Sequence, residues 1–376
     1  MKEKKGKVPF LQKFIRAVEF TGNKVPPPFL MFTGLIVIVF ILSAILGSMD
    51  ISVTYMAASQ DPTKPLVETE VAVRNLFNYE TIRYITTNFV TIFSSFTPLG
   101  LVMVMMLGVG VAEQSGFFNT FMRSVVTTIP AALVTVVLGM FAVNANLISD
   151  AGIVIIPTLG AIVFKAMGRN PWIGIITGYA CVQGGFGANM LIAGSDVVMS
   201  GITQNIAELS GIEYDGIHPM MNWFYMFTAS ILIALTGAFV GEKVLSKIVG
   251  DSAFESDRGI LAEHQTTPQE KKGLRNCGIA ALIYLAVVLI LTLPQGSLFR
   301  NDAGGFLPSS PLLSSIVFIL FGFFVTLGIV YGKSVGTLKA WSDVPKFMEQ
   351  GINNILSFIV AALPAALFIY VFTASN

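Results

Sequence analysis

Long runs of apolar residues dominate the chain and alternate with shorter polar segments. A helix of about 20 residues, rising about 1.5 Å per residue, spans a hydrocarbon core of about 30 Å. The first such run, at 29–49, is followed by no small-residue cleavage pattern, so we interpret it as a retained transmembrane helix and not a signal peptide. The length criterion predicts full spans at 29–49, 96–112, 219–241, 277–294, 312–331 and 352–371.

The region 125–194 interrupts this pattern. It contains enough apolar residues for three segments, but two polar or glycine-rich breaks divide it. These breaks are Asn144-Ala-Asn146-Leu-Ile-Ser149-Asp150-Ala-Gly152 and Gly184-Gly185-Phe-Gly187-Ala-Asn189. Irregular backbone at membrane depth leaves polar groups unpaired, so it is tolerated only where it lines a cavity or is buried in protein. The two breaks therefore mark the candidate functional site.

Basic residues indicate the orientation of the chain, because cytoplasmic flanks carry an excess of Lys and Arg. The first 28 residues contain seven basic side chains, which places the N-terminus inside. The linkers 242–276 and 332–351 are also basic and are expected in the cytoplasm. Segment 195–218 has four acidic and no Lys or Arg residues, and 295–311 has one Arg, so both are expected outside.

Charge leaves two topologies open for the first part of the interrupted region, because both return the chain to the cytoplasm. Segments 125–143 and 153–167 either cross the membrane separately or form a re-entrant hairpin. The second segment is short for a crossing and contains Pro157 and Lys165, which favours the hairpin. The chain then crosses outward through the glycine-rich break at 172–194. The resulting prediction is seven crossings and one hairpin, with the C-terminus outside.

Composition agrees with a membrane protein and excludes several functions. The chain has 376 residues, of which 54% are hydrophobic and 12% are charged, against about 25% charged in soluble domains. Its mean hydropathy is +0.74. A net charge of +1 offers no basic field for nucleic acid. Cys181 and Cys277 lie in apolar runs, and His218 and His264 are the two histidines, so neither a catalytic nor a metal-binding His cluster is expected.

The first break contains the candidate ion ligands. Many secondary transporters build a site near the bilayer midplane from broken helices. Asn146, Ser149 and Asp150 can supply oxygens to Na⁺ or to a substrate, and Asp150 can instead carry a proton. Two purely structural alternatives remain for Asp150: it is a carboxylate in an outer loop, or it is the N-cap of the segment that starts at Ala151.

The second break supplies the remaining candidates. Its glycines either unwind the helix or let helices pack closely. Asn189 can bind a ligand or bridge two helices, and Asp196 lies at the outer end of its helix. The predicted substrate or ion-binding set is Asn144, Asn146, Ser149, Asp150, Gly184, Gly185, Gly187, Asn189 and Asp196, with Na⁺ near Asn146, Ser149, Asp150 and Asn189. No cofactor is expected beyond a coupling ion, Na⁺ or H⁺.

Several longer motifs occur in order along the chain. They are Gly22-Asn-Lys-Val-Pro-Pro-Pro-Phe29, Phe96-Thr-Pro-Leu-Gly100, Gly108-Val-Gly-Val-Ala-Glu113, Ile148-Ser-Asp-Ala-Gly-Ile-Val-Ile-Ile-Pro157, Gly168-Arg-Asn-Pro171, Gly184-Gly-Phe-Gly-Ala-Asn189 and Ser195-Asp-Val-Val-Met-Ser-Gly-Ile-Thr203. In these motifs the chain resembles the p-aminobenzoyl-glutamate transporter (AbgT) family. The resemblance implies a dimeric inner-membrane transporter with nine spans, two re-entrant hairpins and an inverted repeat. It also favours the hairpin at 125–167 and places Asp150 at its tip.

The resemblance also raises an expectation about the second half of the chain. Family members are longer, and their second half has a hairpin with a Ser-x-x-Trp tip, followed by a helix with an Arg and an Asp near the substrate. This sequence ends at Asn376, where that hairpin is expected to begin. We therefore expect the isolated chain to bind and transport poorly, because such sites form at the interface of the two repeats.

Together these observations predict an all-α polytopic membrane protein with about seven transmembrane helices and one re-entrant helical hairpin. The predicted organisation is a cytoplasmic segment 1–28, a first membrane half 29–241 with the hairpin at about 125–167 and the broken helix at about 172–194, a cytoplasmic linker 242–276 and an incomplete second half 277–376. The resemblance implies a homodimer in the bacterial inner membrane. It also implies a secondary active transporter of p-aminobenzoyl-glutamate or related aromatic-amide antimetabolites, including sulfonamide efflux, coupled to Na⁺ or H⁺. The alternatives are a non-functional remnant and a channel, although no charge ring or filter-like carbonyl run is visible.

Overall fold

The computed structural model describes residues 20, 24–58, 66–128, 133–145, 151–209, 216–250, 265–306 and 310–376. Two compact units are present, Met1–Phe96 with Ser357–Asn376, and Thr97–Leu356. The helices and strands of the described residues are α1 (Pro28–Ser48), β1 (Ser52–Ala58), β2 (Leu66–Ala72), α2 (Tyr79–Ser94), α3 (Thr97–Gln114), α4 (Phe117–Thr128), α5 (Val134–Val143), α6 (Ala151–Ala166), α7 (Pro171–Gly184), α8 (Gly194–Leu209), α9 (Trp223–Val240), α10 (Pro268–Ile290), α11 (Ile316–Val335), α12 (Asp343–Asn353) and α13 (Leu356–Ala374). A π-helical turn, Gly241–Leu245, and the short helix Ser246–Val249 continue α9, and a further short helix, Pro311–Ser314, precedes α11.

Six helical runs of the described chain are long and apolar enough to cross a membrane. They are Pro28–Ser48, Tyr79–Gln114, Trp223–Val249, Pro268–Ile290, Ile316–Val335 and Leu356–Ala374. Each run overlaps one of the spans predicted from the sequence. The prediction of a mainly helical, multi-pass membrane protein is therefore confirmed.

The start of α10 differs from the prediction, which began this span at 277. Thr267 and Glu270 form a capping box, in which the Thr267 hydroxyl accepts a hydrogen bond from the Glu270 N–H at 3.2 Å and the Glu270 carboxylate accepts one from the Thr267 N–H at 2.7 Å. Pro268 occupies the first helical turn, where its missing N–H costs nothing. Lys271, Lys272 and Arg275 therefore lie in the first turns of α10.

A β-hairpin departs from the predicted all-α fold. Strands β1 and β2 pair in antiparallel fashion, with Ser52 opposite Ala72 and Ala58 opposite Leu66. Both strands are rich in β-branched residues, which favour extended backbone. The all-α prediction is wrong here because a criterion based on long apolar runs does not detect seven-residue strands.

The first unit combines this hairpin with α1, α2 and α13. Aromatic pairs join the helices: Phe32 of α1 lies 5.9 Å from Phe368 of α13, and Tyr84 of α2 stacks on Tyr370 at 5.0 Å between ring centroids. The buried Ser43 hydroxyl of α1 accepts a hydrogen bond from the Leu76 N–H at 3.3 Å. These contacts fix the segment that follows β2 against α1.

Two groups of helices form the second unit. In one, α3 packs against α8, α11 and α12. A Cβ atom added to Gly110 of α3 would lie 2.6 Å from the Cα atom of Gly351 in α12, so this close approach requires glycine. In the other group, α6 packs on α7, and both α5 and α9 contact α7.

The interrupted region contains three short helices, α5, α6 and α7. Helix α5 has 10 residues, α6 has 16 and α7 has 14, all short of the about 20 residues that a full crossing needs. A Cβ atom added to Gly152, at the start of α6, would lie 2.7 Å from the Cβ atom of Ala145, just after α5. The two helices therefore meet at the ends that flank 146–150. Helix α7 ends at Gly184 and α8 begins at Gly194, so 185–193 is non-helical.

Candidate functional site

The non-helical segment 185–193, here named the break, is held to the end of α5. Asn144 caps α5, and its amide group donates a hydrogen bond to the Met140 carbonyl at 2.8 Å. Its side-chain oxygen accepts a hydrogen bond from the Met190 N–H at 2.8 Å. Both ends of the Asn144 amide are therefore occupied, and its role in the structure is to position the break.

A second side chain fixes the same residue from α9. The Trp223 indole N–H donates to the Met190 carbonyl at 2.9 Å. Met190 thus has both backbone polar groups bonded to side chains, as irregular backbone away from water requires. The sequence did not identify Trp223 as a site residue, although a Trp at the start of an apolar span commonly uses its N–H in this way.

Glycine allows the break to lie directly against α5. A Cβ atom added to Gly185 would be 2.6 Å from the Cα atom of Val143. At Gly187 an added Cβ would meet nothing within 4 Å, and at Gly184 it would make an ordinary 3.5 Å contact with Ile233. The three candidate glycines thus differ. Helix α7 ends at Gly184, Gly185 allows close packing against α5, and Gly187 has open space around it.

Asn189 has the most unusual environment in the break. Its side chain is fully buried, with 0% exposure. Neither its amide nitrogen nor its amide oxygen has a hydrogen-bond partner among the described residues. Leaving a buried polar group unpaired costs about 1–3 kcal/mol, so native structures rarely retain one without a reason. An amide presents both an acceptor oxygen and donor N–H groups, which suit either a cation or a polar ligand.

Asp196 lies where the break enters α8. It is buried, and its carboxylate accepts a hydrogen bond from the Ala193 N–H at 2.7 Å. The neighbouring Ser195 hydroxyl is buried without a partner among the described residues. The sequence prediction placed Asp196 at the outer end of its helix, and the structure places it at the end of the break, close to the helix N-terminus where a carboxylate is favourable.

The remaining predicted ligands belong to the first break, between α5 and α6. Asn146, Ser149 and Asp150 lie outside the described residues. Among the residues that are described, no cluster of three or more His, Cys, Asp or Glu side chains could hold a metal ion. The oxygen donors of this region are therefore amides, hydroxyls, backbone carbonyls and the Asp196 carboxylate.

An ion pair ties the helices of this region together at the opposite end of α7. Arg169, in the turn before α7, binds Glu242 of the π-helical turn through two hydrogen bonds, of 2.8 and 2.9 Å. The Thr135 hydroxyl of α5 also donates to Glu242. Two parallel N–H donors on one carboxylate fix orientation as well as distance. The Arg169 and Thr135 hydrogen bonds to Glu242 therefore hold α5, α7 and α9 together at this end.

The chain is similar in sequence to known transport proteins. Residues 13–376 match the model of a family described as the AbgT putative transporter family. Over 359 residues the chain is 30% identical to the p-aminobenzoyl-glutamate transport protein of Escherichia coli (strain K12). The matched region spans 96% of this chain and 68% of that protein.

Two solved structures are also similar. Neisseria gonorrhoeae MtrF, described within a class of antimetabolite efflux pumps, superimposes with a TM-score of 0.88 at 31% identity over 96% of this chain and 72% of its own. The Alcanivorax borkumensis YdaH transporter gives a TM-score of 0.82 at 26% identity over 93% of this chain and 71% of its own. The fold described above is therefore shared by solved transporters.

Proposed function

This chain belongs to the AbgT putative transporter family, and we propose that it carries p-aminobenzoyl-glutamate or a related aromatic-amide antimetabolite across the membrane by secondary active transport. Membership confirms the resemblance predicted from the sequence and makes the chain a transporter, not an enzyme. Two relatives support the proposed substrate class: the E. coli protein is named for p-aminobenzoyl-glutamate, and MtrF is described with antimetabolite efflux pumps.

The unpartnered Asn189 amide carries the proposal that the break binds the coupling ion or the substrate. A ligand that pairs with this amide recovers the free energy lost by burying it. The amide oxygen suits Na⁺, because hard cations prefer oxygen ligands, and the NH₂ group suits a substrate carbonyl or carboxylate. Asp196 and the Ser195 hydroxyl, at the other end of the break, supply further oxygens.

We further propose that α5 and α6 form a re-entrant hairpin whose tip, 146–150, reaches membrane depth beside the break. The shortness of both helices and the close approach of Ala145 to Gly152 support this arrangement. The hydrogen bond from Met190 to Asn144 joins the hairpin to the break. We propose that Asn146, Ser149 and Asp150 contribute to the same site as Asn189, and that Asp150 binds Na⁺ or carries the coupled proton.

The proposal includes the membrane location, the oligomeric state and the orientation of the protein. We place it in the bacterial inner membrane as a homodimer, with the N-terminus in the cytoplasm. The basic N-terminal segment and the acidic 195–218 support this orientation. The direction of transport then depends on whether the coupling ion and the substrate cross the membrane in the same direction or in opposite directions.

A gradient experiment tests the proposed function. The protein is purified from its own membrane, reconstituted in liposomes and given radiolabelled p-aminobenzoyl-glutamate under a Na⁺ gradient or a pH gradient. We expect saturable substrate movement that one gradient drives and that an ionophore abolishes. Non-saturating currents at fixed potential would instead indicate a channel.

An Asp150→Asn variant then identifies the coupling ion. If Asp150 carries a proton, the pH dependence of transport disappears in the variant. If transport is unchanged, Asp150 serves as a helix cap. Glu349→Gln is the matched control, because Glu349 is an exposed acidic residue on α12 and its removal should leave both transport and pH dependence intact.

A further inference from the structure

A large apolar cavity lies within the second unit, and Asn144 is one of its lining residues. Its volume is about 580 Å³, within the range typical of small-molecule sites. Residues of α4, α5, α10 and α11 line it, together with Leu191 of the break. The cavity is thus continuous with the candidate site at Asn144 and extends along α10 as far as Leu274.

The wall of this cavity is a continuous series of phenylalanine rings. Phe141 contacts Phe121, which stacks on Phe117, with ring centroids 5.9 and 5.8 Å apart. The series continues from Phe117 to Phe118, to Phe324 of α11 and to Phe323, at 5.5, 5.7 and 5.7 Å. All six rings line the cavity. Rings held at such tilted angles present edges and faces on which a further aromatic ring gains more than the burial of its area.

One charged side chain stands at the cavity. Among the described residues that line it, Arg275 is the sole charged one. It is exposed, and it makes no hydrogen bond or ion pair with any other described residue. A guanidinium with all its donors available is suited to hold a carboxylate through two parallel hydrogen bonds.

We propose that this cavity is a second binding site, adjoining the break, for an aromatic carboxylate: the ring lies among the phenylalanines and the carboxylate binds Arg275. The choice of an aromatic carboxylate rests on the proposed function, because the proposed substrates are aromatic amides with acidic groups. The cavity contacts Asn144, so a ring bound there lies next to the side chain that positions the break. The site therefore holds substrate on its way to or from the break.

Photolabelling tests the site directly. Protein purified from its own membrane is irradiated with benzophenone-4-carboxylate, an aromatic carboxylate that crosslinks to nearby C–H bonds, and the labelled peptides are mapped by mass spectrometry. We expect labels in 117–125 and 274–281, and competition by p-aminobenzoyl-glutamate. Labels spread evenly over the apolar helices would contradict a built site.

Two pairs of variants separate the contributions of charge and space. Arg275→Gln should weaken labelling about tenfold, the usual effect of losing a hydrogen bond to a charged group, whereas Lys272→Gln, which removes a charge one turn away outside the cavity lining, should not. Gly278→Leu should fill the cavity and abolish labelling, because a Cβ at Gly278 meets nothing within 4 Å. Gly100→Leu is its control, since Gly100 has equally open space on α3 and does not line the cavity.

The outcomes distinguish this inference from the proposed function. Labelling requires no gradient, so specific labelling in a protein that fails to transport would leave the second site standing. Transport with labelling that Gly278→Leu does not change would overturn it. Competition by oleate but not by p-aminobenzoyl-glutamate would also overturn it, because the occupant would then be an acyl chain.

Discussion

The side-chain oxygen of Asn144 accepts a hydrogen bond from the backbone N–H of Met190 at 2.8 Å, across 46 residues of sequence. Asn144 ends α5, and Met190 lies in the middle of the break. This bond fixes the position of α5, one arm of the proposed hairpin, relative to the break. A displacement of either one must therefore move the other or break the bond.

Replacing Asn144 by Ala should loosen the break. The change removes the acceptor of a part-buried N–H and should cost about 1 kcal/mol of stability. We expect faster amide hydrogen exchange at Met190 and slower substrate transport. Ser43→Ala is the matched control, because the Ser43 hydroxyl likewise accepts a hydrogen bond from a backbone N–H, that of Leu76, in the first unit. Equal loss of transport in both variants would show that the effect is general destabilisation.

Replacing Trp223 by Phe tests the second hydrogen bond to Met190. The variant keeps an aromatic ring but loses the indole N–H that donates to the Met190 carbonyl. A neutral hydrogen bond contributes about 0.5–1.5 kcal/mol, so substrate affinity should fall by about two- to tenfold. In the control Trp172→Phe, an exposed Trp on α7 is changed, and affinity should stay the same. Unchanged affinity in Trp223→Phe would remove the break from the binding site.

The glycines of the break should respond very differently to a single methyl group. Gly185→Ala places a Cβ 2.6 Å from the Val143 backbone, so the break must shift, at a cost of about 1–3 kcal/mol for overpacking. Gly187→Ala meets nothing within 4 Å and should be tolerated. Thermal unfolding in detergent and transport in liposomes measure both effects. Equal tolerance at the two positions would show that the contact with α5 is dispensable.

The Arg169–Glu242 pair should show measurable coupling, although it is partly exposed. Its two hydrogen bonds have fixed geometry, and we expect a coupling free energy of about 1 kcal/mol from a double-mutant cycle with Arg169→Gln and Glu242→Gln. The Lys346–Asp343 pair, whose Lys is 67% exposed, is the comparison and should give a value near zero. Equal coupling in both pairs would mean that the bidentate geometry adds nothing.

Apolar length and local signals were sufficient to predict much of the fold. The spans at 29–49 and 352–371 correspond to α1 and α13, because about 20 consecutive apolar residues admit few alternatives. The glycines at 184–187 coincide with the end of α7. The start of α10 was missed, although the Thr267-x-x-Glu270 capping box was present in the sequence. A hydrophobicity criterion ignores such caps, and it also ignored β1 and β2.

The candidate site was only partly accessible from sequence. Asn189 was selected as a polar residue beside glycines, but its missing partners become visible only when the surrounding backbone is placed. The bond between Trp223 and Met190 joins residues 33 positions apart, and no local pattern encodes it. The series of phenylalanine rings likewise joins α4 and α5 to α11, which lies far from both in sequence. Tertiary contacts of this kind follow from packing and not from periodicity.

The Asn189 amide is proposed to bind a ligand, and the ligand-dependent stability of an Asn189→Ala variant tests this claim. Asn189 has no partner among the described residues, so its loss should leave the melting temperature of the ligand-free protein unchanged or raise it. The shift in melting temperature on adding Na⁺ or p-aminobenzoyl-glutamate should shrink, with affinity falling about tenfold. A destabilised ligand-free protein that keeps the full ligand-induced shift would contradict the claim, because Asn189 would then be structural.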